Sequence, residues 1–175
     1  MKTMQDTASA PAPGRPKAGP APSGGSEARE AGSVGAAFGW PVRVYWEDTD
    51  AGGIVFYANY LKFFERARTE WLRHLGVEQQ KLRDQVGGMF VVTGTQLRYH
   101  RPARLDDLLL VTARVTESGR ASLTIEQTAL LQAPEGQAPI LLCEGSIRIG
   151  WVDATALRPQ RIPAQVLDAL AGGNR

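Results

Sequence analysis

VRVYWEDTDAGGIVFYANYLKFFERARTEWLRHLG, residues 42–76, decides the fold. It opens in alternation, with Val42, Val44 and Trp46 set against Arg43, Tyr45 and Glu47. A period of two predicts a half-buried strand. Three acids follow, Glu47, Asp48 and Asp50, and then Gly52 and Gly53 punctuate the chain. From Tyr60 the period lengthens. Tyr60, Phe63, Phe64, Ala67, Trp71 and Leu75 recur at spacings of three and four, the stripe of an amphipathic helix. Leu61, Arg68 and Leu72 widen that stripe. Asn59 has the side chain of an N-cap and Gly76 is the expected helix stop. A carboxylate, Asp50, is thereby set on a glycine loop just ahead of a helix N-terminus.

Working outward, residues 1–37 are rich in Ala, Pro, Gly and Ser and lack the apolar residues a core needs. They read as a disordered tail, with the folded domain spanning residues 38–175. Removing residues 1–37 is expected to leave the melting temperature and turnover nearly unchanged. A drop of many degrees would show the tail docked on the domain.

Beyond the long helix, residues 77–83 suggest a short second helix. Residues 89–101 read as a strand, with Thr95, Leu97 and Tyr99 opposing Gln96, Arg98 and His100. Residues 108–117 alternate again through Leu109, Val111, Ala113 and Val115. Ser118-Gly119 predicts a two-residue hairpin into a strand from Arg120 that carries Leu123, Ile125, Ala129 and Leu131. A last strand over residues 140–152 carries Ile147, Ile149 and Trp151, and a short helix is expected over 163–171. The order is strand, long helix, then four strands on short connections. It predicts an α+β domain whose curved antiparallel sheet wraps around one helix.

Composition narrows the function. The 175 residues carry a formal net charge of +2, too balanced to argue for nucleic acid. Cys143 is the sole cysteine, so neither an intramolecular disulfide nor a cysteine zinc cluster is available. No apolar run reaches membrane-spanning length, which points to a soluble, reducing compartment. Asp48-Thr49-Asp50 begins like a calcium loop, but the fifth position is Gly52 and the twelfth is Asn59. No metal is expected. No G-x-S-x-G elbow, dinucleotide fingerprint or phosphate loop occurs.

Two readings of Asp50 stand on the residues alone. It is a turn former that satisfies local amides, or it faces a pocket beside free helix-terminal amides that could hold an oxyanion. Glu65 on the helix reads as a surface acid pairing with Arg68 or Thr69. Its rival reading is a pocket acid or base. Arg98, His100, Arg101 and Arg104 cluster at a strand end and suggest a phosphate-binding rim.

WEDTDAGGIVFYANYLKFFERARTEWLR resembles the signature of hotdog-fold acyl-CoA thioesterases. It is most similar to the Tol–Pal-associated type and more distantly to 4-hydroxybenzoyl-CoA thioesterase. YHRPARLDD, residues 99–107, and VDATALRPQRIP, residues 152–163, are similar to that family's later motifs. The resemblance implies five antiparallel strands around one helix. It implies that Asp50 is catalytic and that the backbone amide of Tyr57 polarises the thioester carbonyl. Gly53 and Asn59 would lie against the substrate, with Arg101 and Arg104 on the CoA phosphates. Tol–Pal-associated relatives often carry His where Tyr57 stands, whereas the 4-hydroxybenzoyl type carries Tyr.

The resemblance further implies a homodimer or homotetramer in the cytoplasm, needing no cofactor beyond the CoA of its acyl-CoA substrate. Peripheral association with a membrane or with an acyl carrier protein is compatible with it. Two other activities share the fold: a hotdog dehydratase, which would use a pocket histidine with an acid, and a non-catalytic acyl-CoA or acyl-carrier binding protein or scaffold.

Overall fold

A computed structural model describes residues 37–172. The expected tail, apart from Ala37, lies outside the described residues. The elements are β1 (Phe38–Arg43), α1 (Asn59–His74), α2 (Gln79–Val86), β2 (Gly88–Tyr99), β3 (Leu108–Ser118), β4 (Ser122–Leu131), β5 (Ile140–Asp153) and α3 (Ala164–Gly172). The strands form one sheet in the order β1-β3-β4-β5-β2, and every neighbouring pair is antiparallel. β2 is therefore an edge strand paired with β5, not with its successor β3. Register shifts at Val92/Gly94, Val115/Glu117 and Ala129/Leu130 interrupt the ladders. Such irregularities bend a sheet.

The apolar stripe of α1 is the centre of the core. Tyr60, Phe63, Phe64, Ala67 and Trp71 are buried, as the helical spacing predicts. They belong to one cluster with Leu109, Val111 and Ala113 of β3, Leu123, Ile125 and Ala129 of β4, and Ile147, Ile149 and Trp151 of β5. Leu72 and Arg68 are buried too, but Leu61 is exposed. The helix ends in a Schellman arrangement. Gly76 takes φ +77°, its N–H donates to the Arg73 carbonyl (2.9 Å), and the Val77 N–H reaches the Leu72 carbonyl (2.8 Å). Trp151 closes the other end of the core against Phe90 and leaves no room beside Gly88, where a Cβ would lie 2.5 Å from the indole.

A buried polar pair, Gln127 and Arg68, sits inside this face. Gln127 of β4 accepts from Arg68 Nη1 (2.6 Å) and donates to the Phe64 carbonyl (3.0 Å). Arg68 Nη2 donates to Glu65 Oε2 (2.6 Å), and the Thr69 hydroxyl donates to Glu65 Oε1 (2.9 Å). Glu65 is thus the paired helix acid of the simpler reading.

Several local expectations need correction. The alternation predicts a first strand with Val42, Val44 and Trp46 on one face, yet β1 ends at Arg43 and Trp46 is 78% exposed. Trp46 opens a single 3₁₀ turn, Trp46–Asp48, because the Asp48 carboxylate accepts the Tyr45 N–H (2.9 Å) and draws the chain out of the ladder. Asn59 does not cap α1. Ala58 holds the cap position, and Asn59 is the first helical residue, its side chain turned back to Asp48. The β3–β4 connection spans residues 119–121, three residues instead of two. The short second helix begins two residues later than expected and runs to Val86.

Cys143 is fully buried, and that burial, with Glu144 adding to it, pushes the thiol up to about 12. The thiolate is the nucleophilic form. A thiol reagent at neutral pH is therefore expected to leave the native protein unlabelled and to modify one thiol per chain in denaturant. Rapid native labelling would place Cys143 at the surface.

Candidate active site

The segment between β1 and α1 folds back on itself before entering the helix. Thr49 bridges to Val55 and Ile54 bridges to Arg104, while the Val55 N–H donates to the Ala103 carbonyl (2.9 Å). At its tip the Asp50 N–H donates to the Ile54 carbonyl (2.9 Å) and the Gly53 N–H to the Asp50 carbonyl (3.0 Å). Gly53 adopts φ +69°, a conformation suited to glycine. The Asp50 side chain is exposed, and its Oδ1 accepts the Gly52 N–H (2.8 Å). Oδ2 has no hydrogen-bond partner among the described residues. Half of this carboxylate anchors it to the loop and half is available.

Two amides just ahead of the helix are among those of the segment without acceptors. The Phe56 N–H is taken by the Asp48 carbonyl (2.9 Å) and the Asn59 N–H by the Phe56 carbonyl (2.8 Å). Among the described residues, no acceptor is found for the N–H groups of Tyr57 and Ala58 between them. They sit at the positive end of the α1 dipole, where a negative oxygen is favoured. The Tyr57 side chain is 62% exposed.

Aromatic groups frame the loop from the end of β2. The Tyr99 hydroxyl donates to the Tyr57 carbonyl (3.1 Å), and its ring meets those of Tyr57 and Tyr60 edge-on. Tyr60 is buried and accepts the Ala103 N–H at its hydroxyl (2.9 Å). Burial raises its pKa, against a smaller lowering by the Ala103 amide. These bonds tie the segment after β2 to the start of α1.

That tie divides the four basic residues. His100 and Arg98 are both taken by Glu144 of β5, at 3.0 and 4.0 Å. Arg104 pairs through its backbone with Ile54, beside the Asp50 loop. Arg101 follows β2 directly, its N–H on the Leu142 carbonyl (3.2 Å). Both side chains are exposed, and neither meets a carboxylate among the described residues. Two of the four basic side chains, those of Arg101 and Arg104, therefore have no carboxylate partner among the described residues.

Asn59 is brought to the site but turned inward. It is 6% exposed and donates from Nδ2 to the Asp48 carbonyl (2.9 Å). Tyr99 and the buried Asp48 join the site without having stood out as site residues in the sequence. An alternating strand does not tell which of its residues reaches a loop, and acids in a cluster look alike until burial separates them. Among the described residues, no three His, Cys, Asp or Glu side chains gather as a metal would require.

An antiparallel five-stranded sheet packed on one long helix, with an acid on the loop that feeds it, defines a hotdog-fold domain. A profile of the thioesterase superfamily matches residues 52–135. Acyl-CoA thioesterase YbgC of Haemophilus influenzae is 41% identical over 129 residues, covering 74% of this chain and 90% of that one. A probable thioesterase from Bartonella henselae is 32% identical in its crystal structure, at a TM-score of 0.65, covering 73% of this chain and all of that one. The structure of a 4-hydroxybenzoyl CoA thioesterase with 4-hydroxybenzoyl CoA shares the fold at a TM-score of 0.71 and 19% identity, covering 77% of this chain and 98% of that one. The chain belongs to the thioesterase superfamily.

Proposed function

We propose that this chain is a thioester hydrolase that cleaves acyl-CoA into a free acid and CoA. The observation that carries the reading is a pairing within one short loop. A carboxylate with a free oxygen, Asp50, shares the loop with an unengaged amide, that of Tyr57. The relatives named as acyl-CoA thioesterases support the choice of substrate.

In this reading the thioester carbonyl oxygen accepts the Tyr57 N–H. Asp50 Oδ2 either attacks the carbonyl carbon or takes a proton from an attacking water. Negative charge grows on the carbonyl oxygen as the tetrahedral species forms. An amide fixed at a helix N-terminus then stabilises the charge without reorganising, an effect worth about 3 kcal/mol. Collapse expels the CoA thiolate. On the general-base route Asp50 hands it the proton taken from water and the acid is released directly; on the nucleophilic route a water then cleaves the acyl-Asp50 anhydride, releasing the acid and its protons and restoring the carboxylate. Gly53 keeps the loop tip free of side-chain bulk. These steps invoke no cofactor or metal.

No histidine occurs in the segment that leads into α1, which disfavours a dehydratase built on a pocket histidine. A binding protein without turnover would need Asp50 only to hold the Gly52 N–H, and the unpartnered Oδ2 favours the enzyme. A turnover panel of short-chain, long-chain and aromatic acyl-CoAs tests the reading. Hydrolysis of one class well above the rest is expected, and no turnover with any member would overturn it.

Arg101 and Arg104 would meet the CoA phosphates. Reversing both charges, Arg101→Glu with Arg104→Glu, should raise KM by about tenfold or more with little change in kcat, since a charged hydrogen bond contributes roughly 1.5–3 kcal/mol. An unchanged KM, insensitive to salt, would place CoA elsewhere. A homodimer or homotetramer that covers the β2 edge fits this reading, because open sheet edges invite pairing. No described helix is long and apolar enough to cross a membrane. A cytoplasmic enzyme working beside the Tol–Pal envelope machinery, with membrane or carrier-protein contacts left to its surface, completes the proposal.

A further inference from the structure

Resting on that reading of Asp50 and Tyr57, we infer that Asp48 and Asn59 are positioning residues, a clamp that sets the carboxylate and the amide opposite each other. One atom is the hub. The Asp48 carbonyl oxygen accepts both the Phe56 N–H and Asn59 Nδ2, each at 2.9 Å. Phe56 immediately precedes Tyr57, and Asn59 lies two residues beyond it. Asp48 lies two residues before Asp50. The two ends of the functional loop therefore close on a single oxygen, and the Tyr57 and Ala58 amides lie between the two residues bonded to it.

The hub is itself immobilised. Asp48 is 1% exposed, and its Oδ2 accepts the Tyr45 N–H (2.9 Å) across the 3₁₀ turn. The second carboxylate oxygen, Oδ1, is buried and has no partner among the described residues. Burying a carboxylate with one oxygen unsatisfied is unfavourable for stability. A residue kept at that expense is better explained by where it puts the loop than by what it adds to the fold.

Asn59 is equally shielded, so a substrate lying against Asp50 and the Tyr57 amide does not touch it. The clamp acts through those groups, and its loss should appear in kcat, not in KM. The test uses Asn59→Asp, which keeps the shape but sets an acceptor against the Asp48 carbonyl, and Asn59→Ser, which is too short to reach it and small enough to fold. Both are assayed with the preferred acyl-CoA at a temperature where circular dichroism shows each fully folded.

We expect kcat to fall by about ten- to a hundredfold with KM within about threefold, in line with the effect of small misplacement of reacting groups. A parental kcat accompanied by a lower melting temperature would reduce Asn59 to a structural role and overturn the inference. A raised KM at parental kcat would overturn it by placing Asn59 on the substrate. Asp50→Asn, assayed in parallel, separates the layers. If it is inactive while both Asn59 variants keep the parental kcat, the clamp alone falls. If it turns over at the parental rate, the Asp50 assignment falls and the clamp with it.

Discussion

Asp50→Asn is expected to lower kcat at least about a hundredfold while substrate binding persists, because losing a base or nucleophile typically costs 10²–10⁴ in rate, about 3–5 kcal/mol of barrier. The asparagine can still accept the Gly52 N–H through the oxygen that replaces Oδ1, so the loop should keep its shape. The side chain is exposed and outside the core, and the melting temperature should hardly move. Glu65→Gln is the informative control. Glu65 is occupied by Arg68 and Thr69, and glutamine keeps an oxygen for one of them. It should retain most of the activity. Single-turnover kinetics on both variants decide the matter. If Asp50→Asn hydrolyses a good acyl-CoA at near the parental rate while Glu65→Gln is dead, the working acid is on the helix.

Trp151→Ala should cost the domain a large share of its stability. The indole is 1% exposed, packs edge-on against Phe90 with ring centroids 4.9 Å apart, and fills the space over Gly88. Truncating a buried aromatic to alanine costs about 3–5 kcal/mol, set against the roughly 5–15 kcal/mol that holds a domain folded. A fall of about 10 °C or more in the thermal midpoint is expected. Gly88 cannot compensate, since it has no side chain to move into the void. A change of only a degree or two in a melt followed by circular dichroism would mean that the core does not depend on this end of β5.

The difference between Trp46 and Trp71 shows what was legible in the sequence. Trp71 sits in a long stripe of 3.6-residue period, and many residues agree on its burial. Trp46 is the last member of a short alternation, where one side-chain bond from Asp48 to the Tyr45 amide outweighs the pattern. The same holds for Asn59, whose capping chemistry is real but whose role depends on which residue starts the helix. Strands β3 and β4 were legible by their period of two. The placement of β2 at the far edge was not, because alternation reports a buried face and says nothing of the neighbour. Gln127 was invisible for a related reason: a polar residue on an apolar face reads as a break in the pattern until its partners are known. Of the candidate site, the exposed loop that carries Asp50 was legible through glycine spacing, while the role given to Asp50 rests on family resemblance. Burial then separated Asp48 from Asp50.

Gln127 also fixes a coordinate that oily packing leaves soft, the angle at which α1 is turned about its own axis. A one-residue screw of the helix would advance it about 1.5 Å and swing it about 100°. Leucine-like surfaces can accommodate smaller versions of that slip by changing rotamers. A bond to the Phe64 carbonyl and another to Arg68 cannot, since both must break together. The helix is keyed to the sheet like a shaft to its hub, and the Tyr57 amide rides on the keyed end. Apolar residues packed around α1 could therefore be exchanged without turning the helix on the sheet. The Tyr57 amide, to which we assign the oxyanion, would keep its bearing while they changed.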